Sequence, residues 1–142
     1  MPNLTRTHKN VNCQHFLASN SVEFGYKRSM NTRTVILRQT KEDTGSRYLA
    51  ASLNEQGDLV FEGQDLGADV EAYWGRGCFE YEWTWTIKAQ HLLLLSDALA
   101  VPKETDILAA LVASFSEERA AGIKGFLDRE AIPHDVWSRV GD

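Results

Sequence analysis

"CFEYEWTWTI", residues 78–87, decides how the rest of the chain is read. Phe79, Tyr81, Trp83, Trp85 and Ile87 take the odd positions, and Glu80, Glu82, Thr84 and Thr86 the even ones. Successive side chains of an extended strand point to opposite sides of a sheet. Strict alternation therefore predicts a strand with its rings turned inward. Its carboxylates and hydroxyls then face water or something outside the chain.

Upstream, "TVILRQT" (34–40), "RYLAASL" (47–53) and "DLVFEGQ" (58–64) are β-branched or apolar runs separated by "KEDTGS" and "NEQG". Such runs bounded by turn residues predict three antiparallel strands. "GADVEAYWG" (67–75) changes period. Val70, Tyr73 and Trp74 fall on one face of a helical turn. Asp69 and Glu71 lie in its first turn, where the helix dipole favours acids, and Gly75 is a fitting stop.

Downstream, "AQHLLLLSDAL" predicts a short apolar helix ended near Pro102. Thr105 is a candidate cap for a second, with Ile107, Leu108, Leu111, Val112 and Phe115 as its buried stripe. A third, capped by Ser116, turns Ile123, Phe126 and Leu127 inward and ends at Pro133. "HDVWS" (134–138) reads as a tail. Strands first and helices afterwards predict an α+β fold. The expected form is a four-stranded antiparallel sheet, with a short helix before the last strand and the C-terminal helices packed on one face.

At 142 residues the chain has the size of one domain. Its net charge of −5 is unevenly spread. Residues 1–29 hold four of the 15 basic residues and one of the 20 acidic ones, a net of +3, which leaves −8 on the remainder. From Asn54 to Glu82 eight acids face only Arg76. That field repels nucleic acid phosphates and attracts a basic protein.

The longest apolar run, Leu92 to Leu95, is far below the roughly 20 residues of a membrane helix. The first 20 residues contain no apolar signal region, so the expected location is the cytoplasm. Cys13 and Cys78 are too few for a disulfide framework, and reduced thiols are expected.

Residues 1–29, rich in Asn, Ser, Thr and Lys, predict a flexible extension before a single domain over 30–142. Met30 reads as a natural start. The other reading of 1–29 is a basic arm that folds back onto the acidic face or contacts a partner.

"EGQDLG" (62–67) followed by Val70, "EYEW" (80–83) and "IPHDVW" (132–137) together resemble a family of small uncharacterised bacterial proteins. Its pattern is EGQDLG–x–x–V, E–Y–x–W and I–P–x–x–x–W. The resemblance covers about residues 33–137. It implies domain limits and no activity.

Candidate binding residues are Glu62, Asp65, Asp69, Tyr73, Trp74, Glu80 and Glu82. Hard cations need several converging carboxylates. The plainer reading of "EGQDLG" is a strand-to-helix turn that Gly63 and Gly67 permit, with Asp65 accepting backbone hydrogen bonds. Cys78 beside Arg76, with His91 as a base, has the elements of an activated thiol, but a small residue at a strand start is the plainer reading. His8, Cys13 and His15 lack a fourth zinc ligand. His134 decorates a turn. No phosphate-cradling loop, nucleophile elbow or paired C-x-x-C occurs, and no cofactor is expected.

The expected function is a non-enzymatic protein-binding module, immunity- or antitoxin-like, whose acidic sheet face docks a basic protein. Solvated glutamates with cross-strand partners such as Arg38 or Arg47 are the plainer alternative. A second functional reading is a small enzyme or ligand-binding protein with an aromatic pocket between sheet and helices, lined by Trp74, Cys78, Trp83 and His91. A homodimer through a strand edge or the Leu-rich helix is a third.

Overall fold

A computed structural model describes residues 33–142. The expected extension over 1–29 and the His8–Cys13–His15 cluster lie outside the described residues. The elements are β1 (Arg33–Glu42), β2 (Gly45–Leu53), β3 (Leu59–Gly67), α1 (Ala68–Trp74), β4 (Glu80–Ile87), α2 (Leu92–Ala98), α3 (Ile107–Phe115), α4 (Ile123–Arg129) and β5 (Asp135–Gly141). Short 3-10 turns precede α2 and α4. The fold is α+β with an antiparallel meander in the order β1-β2-β3-β4-β5.

The sheet has five strands, not four. The fifth is the segment read as a tail, and it pairs with β4 from Glu80↔Gly141 to Thr86↔Asp135. Asp135 to Gly141 is only seven residues long and follows Pro133, so its alternation is short and its start looks like a turn. "EGQDLG" is likewise not a turn. Glu62 to Gly67 belong to β3 and pair with β2 throughout. The strand-to-helix transition occurs only at Gly67, with φ 110°.

Register carries one row of side chains across all five strands at each level. Val35, Ala51, Phe61, Trp85 and Val136 form one row, and Leu49, Gly63, Trp83 and Ser138 the next. A bulge between Ile36 and Arg38 turns Leu37 into the core as well. Every sheet residue of the main core cluster lies on this one face. Leu95, Ile107, Leu108, Leu111, Ala120, Ile123 and Leu127 join the same cluster.

Gly63 is set by packing. A Cβ there would lie 2.1 Å from Trp83 Cε2, because the indole lies across the glycine. Trp83 then continues a ladder of rings. It stacks on Tyr81 at 5.2 Å, and Tyr81 lies 5.4 Å from Trp74 of α1. On its other side Trp83 reaches Trp85 at 6.0 Å, and Trp85 lies 5.9 Å from Phe61. Such offset and tilted pairs stabilise beyond the area they bury.

Three helix readings change. Asp106, not Thr105, caps α3, accepting from the Leu108 N–H at 3.2 Å. Its carboxylate also takes two hydrogen bonds from Arg33, at 2.7 and 3.2 Å. Val112 is exposed rather than buried. Ser116 makes no side-chain cap; its hydroxyl donates back to the Val112 carbonyl.

Alpha-helix α4 ends in a Schellman turn. The Ile132 N–H bonds to the Leu127 carbonyl and the Ala131 N–H to the Asp128 carbonyl. Ala131 sits there at φ 56°, a conformation in which a Cβ is unfavourable.

Two stability predictions follow from this packing. Ala131→Gly raises unfolding free energy by about 1 kcal/mol, read from urea denaturation midpoints; an unchanged or lower midpoint contradicts the strained cap. Gly63→Ala lowers it by about 3 kcal/mol or more, because the indole has no free space to enter. A Gly63→Ala protein as stable as the parent means that Trp83 does not lie across β3.

Candidate functional site

The expected binding residues separate onto two faces and a helix. Glu62, Glu80 and Glu82 share the face opposite the core. There Ile36, Ala50, Glu62, Thr84 and Trp137 form one row, and Tyr48, Gln64, Glu82 and Arg139 the next. Asp65 is on the core-side face, in the row Thr40, Arg47, Asp65, Tyr81, Val140. Trp74 packs on that same side, over Tyr81. Asp69 is in the first turn of α1 and accepts a hydrogen bond from the Thr44 hydroxyl at 2.9 Å. Tyr73 meets Trp74 edge-on at 5.1 Å.

Arg139 organises the acidic face. Its Nη2 donates to Glu80 Oε1 at 3.0 Å and to Glu82 Oε2. The Gln64 amide donates to the second oxygen of Glu80 at 2.7 Å. Gly141 makes room for this reach, since a Cβ there would lie 2.4 Å from Arg139 Nη1. The expected partners were Arg38 and Arg47, but both belong to the opposite face. Arg139 was missed because β5 was read as a tail. The signal for it was present: Trp137, Arg139 and Gly141 are two residues apart.

The two carboxylates differ. Burial and the adjoining Glu80 carboxylate push Glu82 above the usual carboxylate range, against the pull of Arg139. Burial also acts to raise Glu80. The hydrogen bonds from Glu82 and Gln64, with the Arg139 charge, outweigh it and hold Glu80 below that range. Across the whole face Glu62, Glu80, Glu82 and Asp135 stand against Arg139 and Lys41. Neither Glu62 nor Trp137 is without a partner.

On the core side, Asp65 lies opposite Arg47 and within the field of Arg38. Burial is the dominant influence and raises its pKa despite both guanidinium groups. Asp65 Oδ1, Arg38 Nε and Trp83 Nε1 are buried without a hydrogen-bond partner. Trp83 belongs to the main core cluster, so these polar atoms lie at its edge.

Trp74, Cys78, Trp83 and His91 do not converge on one pocket. Cys78 precedes one end of β4 and His91 follows the other, about 25 Å apart at a strand rise of 3.3 Å per residue. Trp83 is buried in the core. The hollow at the β1–β2 hairpin, lined by Lys41, Glu42, Ser46 and Leu66, touches none of the four. Cys78 is fully buried against Val140, Trp74 and Tyr81 and is disulfide-bonded, so the expected reduced thiol is overturned and no nucleophile is present there. The other cysteine of the chain is Cys13.

No group of three or more potential metal ligands occurs among the described residues. No helix among them is long and apolar enough to cross a membrane. No family model, curated protein or solved structure matches the chain.

Asp65 makes stability depend on pH in a definite sense. With its folded pKa raised, the folded chain holds this proton more tightly than the unfolded chain. That contribution is complete below the ordinary carboxylate range and is lost as pH rises through the raised value. Asn at this position does not titrate. The stability of Asp65→Asn relative to the parent therefore grows from about pH 4 to about pH 7, measured by denaturant midpoints. A difference that stays flat or shrinks means that Arg38 and Arg47 dominate over burial.

Proposed function

We propose that the protein is a non-enzymatic binding module whose acidic sheet face docks a basic protein. The observation that carries this reading is the composition of that face, four carboxylates against two cations, together with the mutual fixing of Glu80, Glu82, Gln64 and Arg139. A pre-organised charged surface gives up little side-chain freedom on binding. Its field speeds encounter with a cation-rich partner and disfavours anionic ones.

In this reading the C-terminal helices cover the core side and leave the acidic face clear. Ile36 and Leu66 supply exposed apolar area beside the carboxylates. Interfaces combine such anchors with a polar rim. Small acidic inhibitors of basic enzymes, immunity or antitoxin proteins among them, use this complementarity.

The test is quantitative capture from extracts of the source cells, with the parent and a Glu62→Lys/Asp135→Lys protein as baits. These two positions leave the Arg139 cluster intact. The parent recovers a basic protein whose association slows as salt rises from about 0.05 to 0.5 M. The variant recovers it at least about tenfold less well. A partner held equally by both baits, or one insensitive to salt, overturns the proposal.

A further inference from the structure

Two carboxylates of β4 meet on one nitrogen of Arg139. That nitrogen, Nη2, has two N–H bonds, and it donates to Glu80 Oε1 at 3.0 Å and to Glu82 Oε2. The Gln64 amide donates to the other oxygen of Glu80 at 2.7 Å. Glu80 thus has a donor on each oxygen. Among the described residues Glu82 receives Arg139 alone.

Exposure ranks the pair in the same order. The Glu82 side chain is 13% exposed and that of Glu80 20%. A carboxylate loses hydration on burial and is compensated by the donors it gains. Glu82 loses more and gains less. The two side chains stand two residues apart on one face of β4, close enough for a carboxyl O–H of Glu82 to donate to Glu80. Burial acts to raise both groups. In Glu80 the bonds from Glu82, Gln64 and Arg139 outweigh it, and in Glu82 the neighbouring Glu80 adds to it.

We infer that Glu80 and Glu82 share one proton, and that this proton gates the docking of a basic protein on the acidic face. The inference rests on the docking reading given above and adds its regulation. With the proton in place, the charge of Glu80 is matched by that of Arg139 and the cluster is neutral. Without it the cluster carries one negative charge. A docked cation favours the second form and expels the proton. By linkage, acid then weakens docking.

Other charged groups on this face do not replace the gate. Glu62 lies one row along on β3, Asp135 near the far end of β5, and Tyr48 on β2 in the row of Glu82. Lys41 lies in the row of Glu80 but three strands away, about 14 Å, beyond the screening length of physiological salt. Among the described residues Arg139 is the one cation on a strand next to the pair on this face, and it is already divided between the two carboxylates.

The first experiment follows the protein alone. Carbon-13 NMR of the glutamate carboxyls from about pH 3 to about pH 9 reports each protonation. In the parent, Glu80 and Glu82 titrate in two linked steps, one below and one above the ordinary glutamate range, and each resonance responds to both. Glu82→Gln removes the upper step, with unchanged tryptophan emission as the check on folding. Two independent steps within the ordinary range in the parent overturn the inference, whatever the variant does.

The second experiment titrates both proteins with an arginine-rich peptide at fixed ionic strength. Between about pH 5 and about pH 8 the affinity of the parent rises about threefold more than that of Glu82→Gln. Calorimetry of the parent shows a binding heat that changes with the ionisation enthalpy of the buffer, as release of a proton requires. Equal pH responses in the two proteins overturn the gate and leave docking standing. Peptide binding to neither protein at any pH refutes the docking reading and the gate with it.

Discussion

The indole of Trp83 lying over Gly63 is the contact on which the rest of the structure depends. It sits in the middle strands of a five-stranded sheet, where β3 and β4 pair for eight residues. A side chain at position 63 and an indole at 83 cannot both occupy that space. Once the ring lies flat across β3, Tyr81 and Trp85 are placed on either side of it, and Trp74 of α1 closes the row from above Tyr81. The ring ladder fixes which face of the sheet is interior. By the two-residue period it fixes equally that Glu62, Gln64, Glu80 and Glu82 look the other way. A slip of one residue in the β3–β4 pairing would turn the rings to solvent and bury the carboxylates, so register is strongly specified.

The close approach of backbones at the end of β2 and β3 has the same origin. Gly45, at φ 152°, faces Leu66 O, and Gly67, at φ 110°, faces Thr44 O; a Cβ at either would lie under 3 Å from backbone. The chain can turn from β3 into α1 there only because neither residue has a side chain. Alpha-helix α1 is then held over the polar end of the core, where Val70 is buried and Trp74 covers Tyr81. Asp65 and Arg38 lie at that end of the sheet. Arg38 Nε and Asp65 Oδ1 are both buried there without a hydrogen-bond partner.

Legibility in the sequence followed the length of the periodic signal. Residues 78–87 alternate over ten positions, and the strand over Glu80–Ile87, with Tyr81, Trp83, Trp85 and Ile87 on the core side and the glutamates on the other, could be read directly; Phe79, also expected to turn inward, precedes the strand and is exposed. The helical stripe of Ile107, Leu108 and Leu111 was equally plain. The fifth strand was not, because Pro133 and the polar pair His134–Asp135 hide its start and only Val136, Ser138 and Val140 mark its inner side. Losing β5 also lost Arg139, so Arg38 and Arg47 stood in as the expected partners of the glutamates. The role of Gly63 was misread for a related reason. A glycine in "EGQDLG" suggests a turn locally, and only the partner strand reveals the indole that needs the space. Pairing across strands is a non-local fact, and no window of sequence around residue 63 contains Trp83.

Arg139 changes what an acidic face means physically. Two carboxylates two residues apart on one strand repel, and without a cation both would resist burial in the half-shielded middle of a sheet. One guanidinium held between them removes most of that repulsion. It also fixes the two carboxylates relative to each other, through Gln64 on one side and the space left by Gly141 on the other. A bare cluster of glutamates attracts any cation and orders around none. A cluster braced from within presents its outer oxygens in one arrangement, so any cation that met it would be selected by where its charges fall rather than by how many there are.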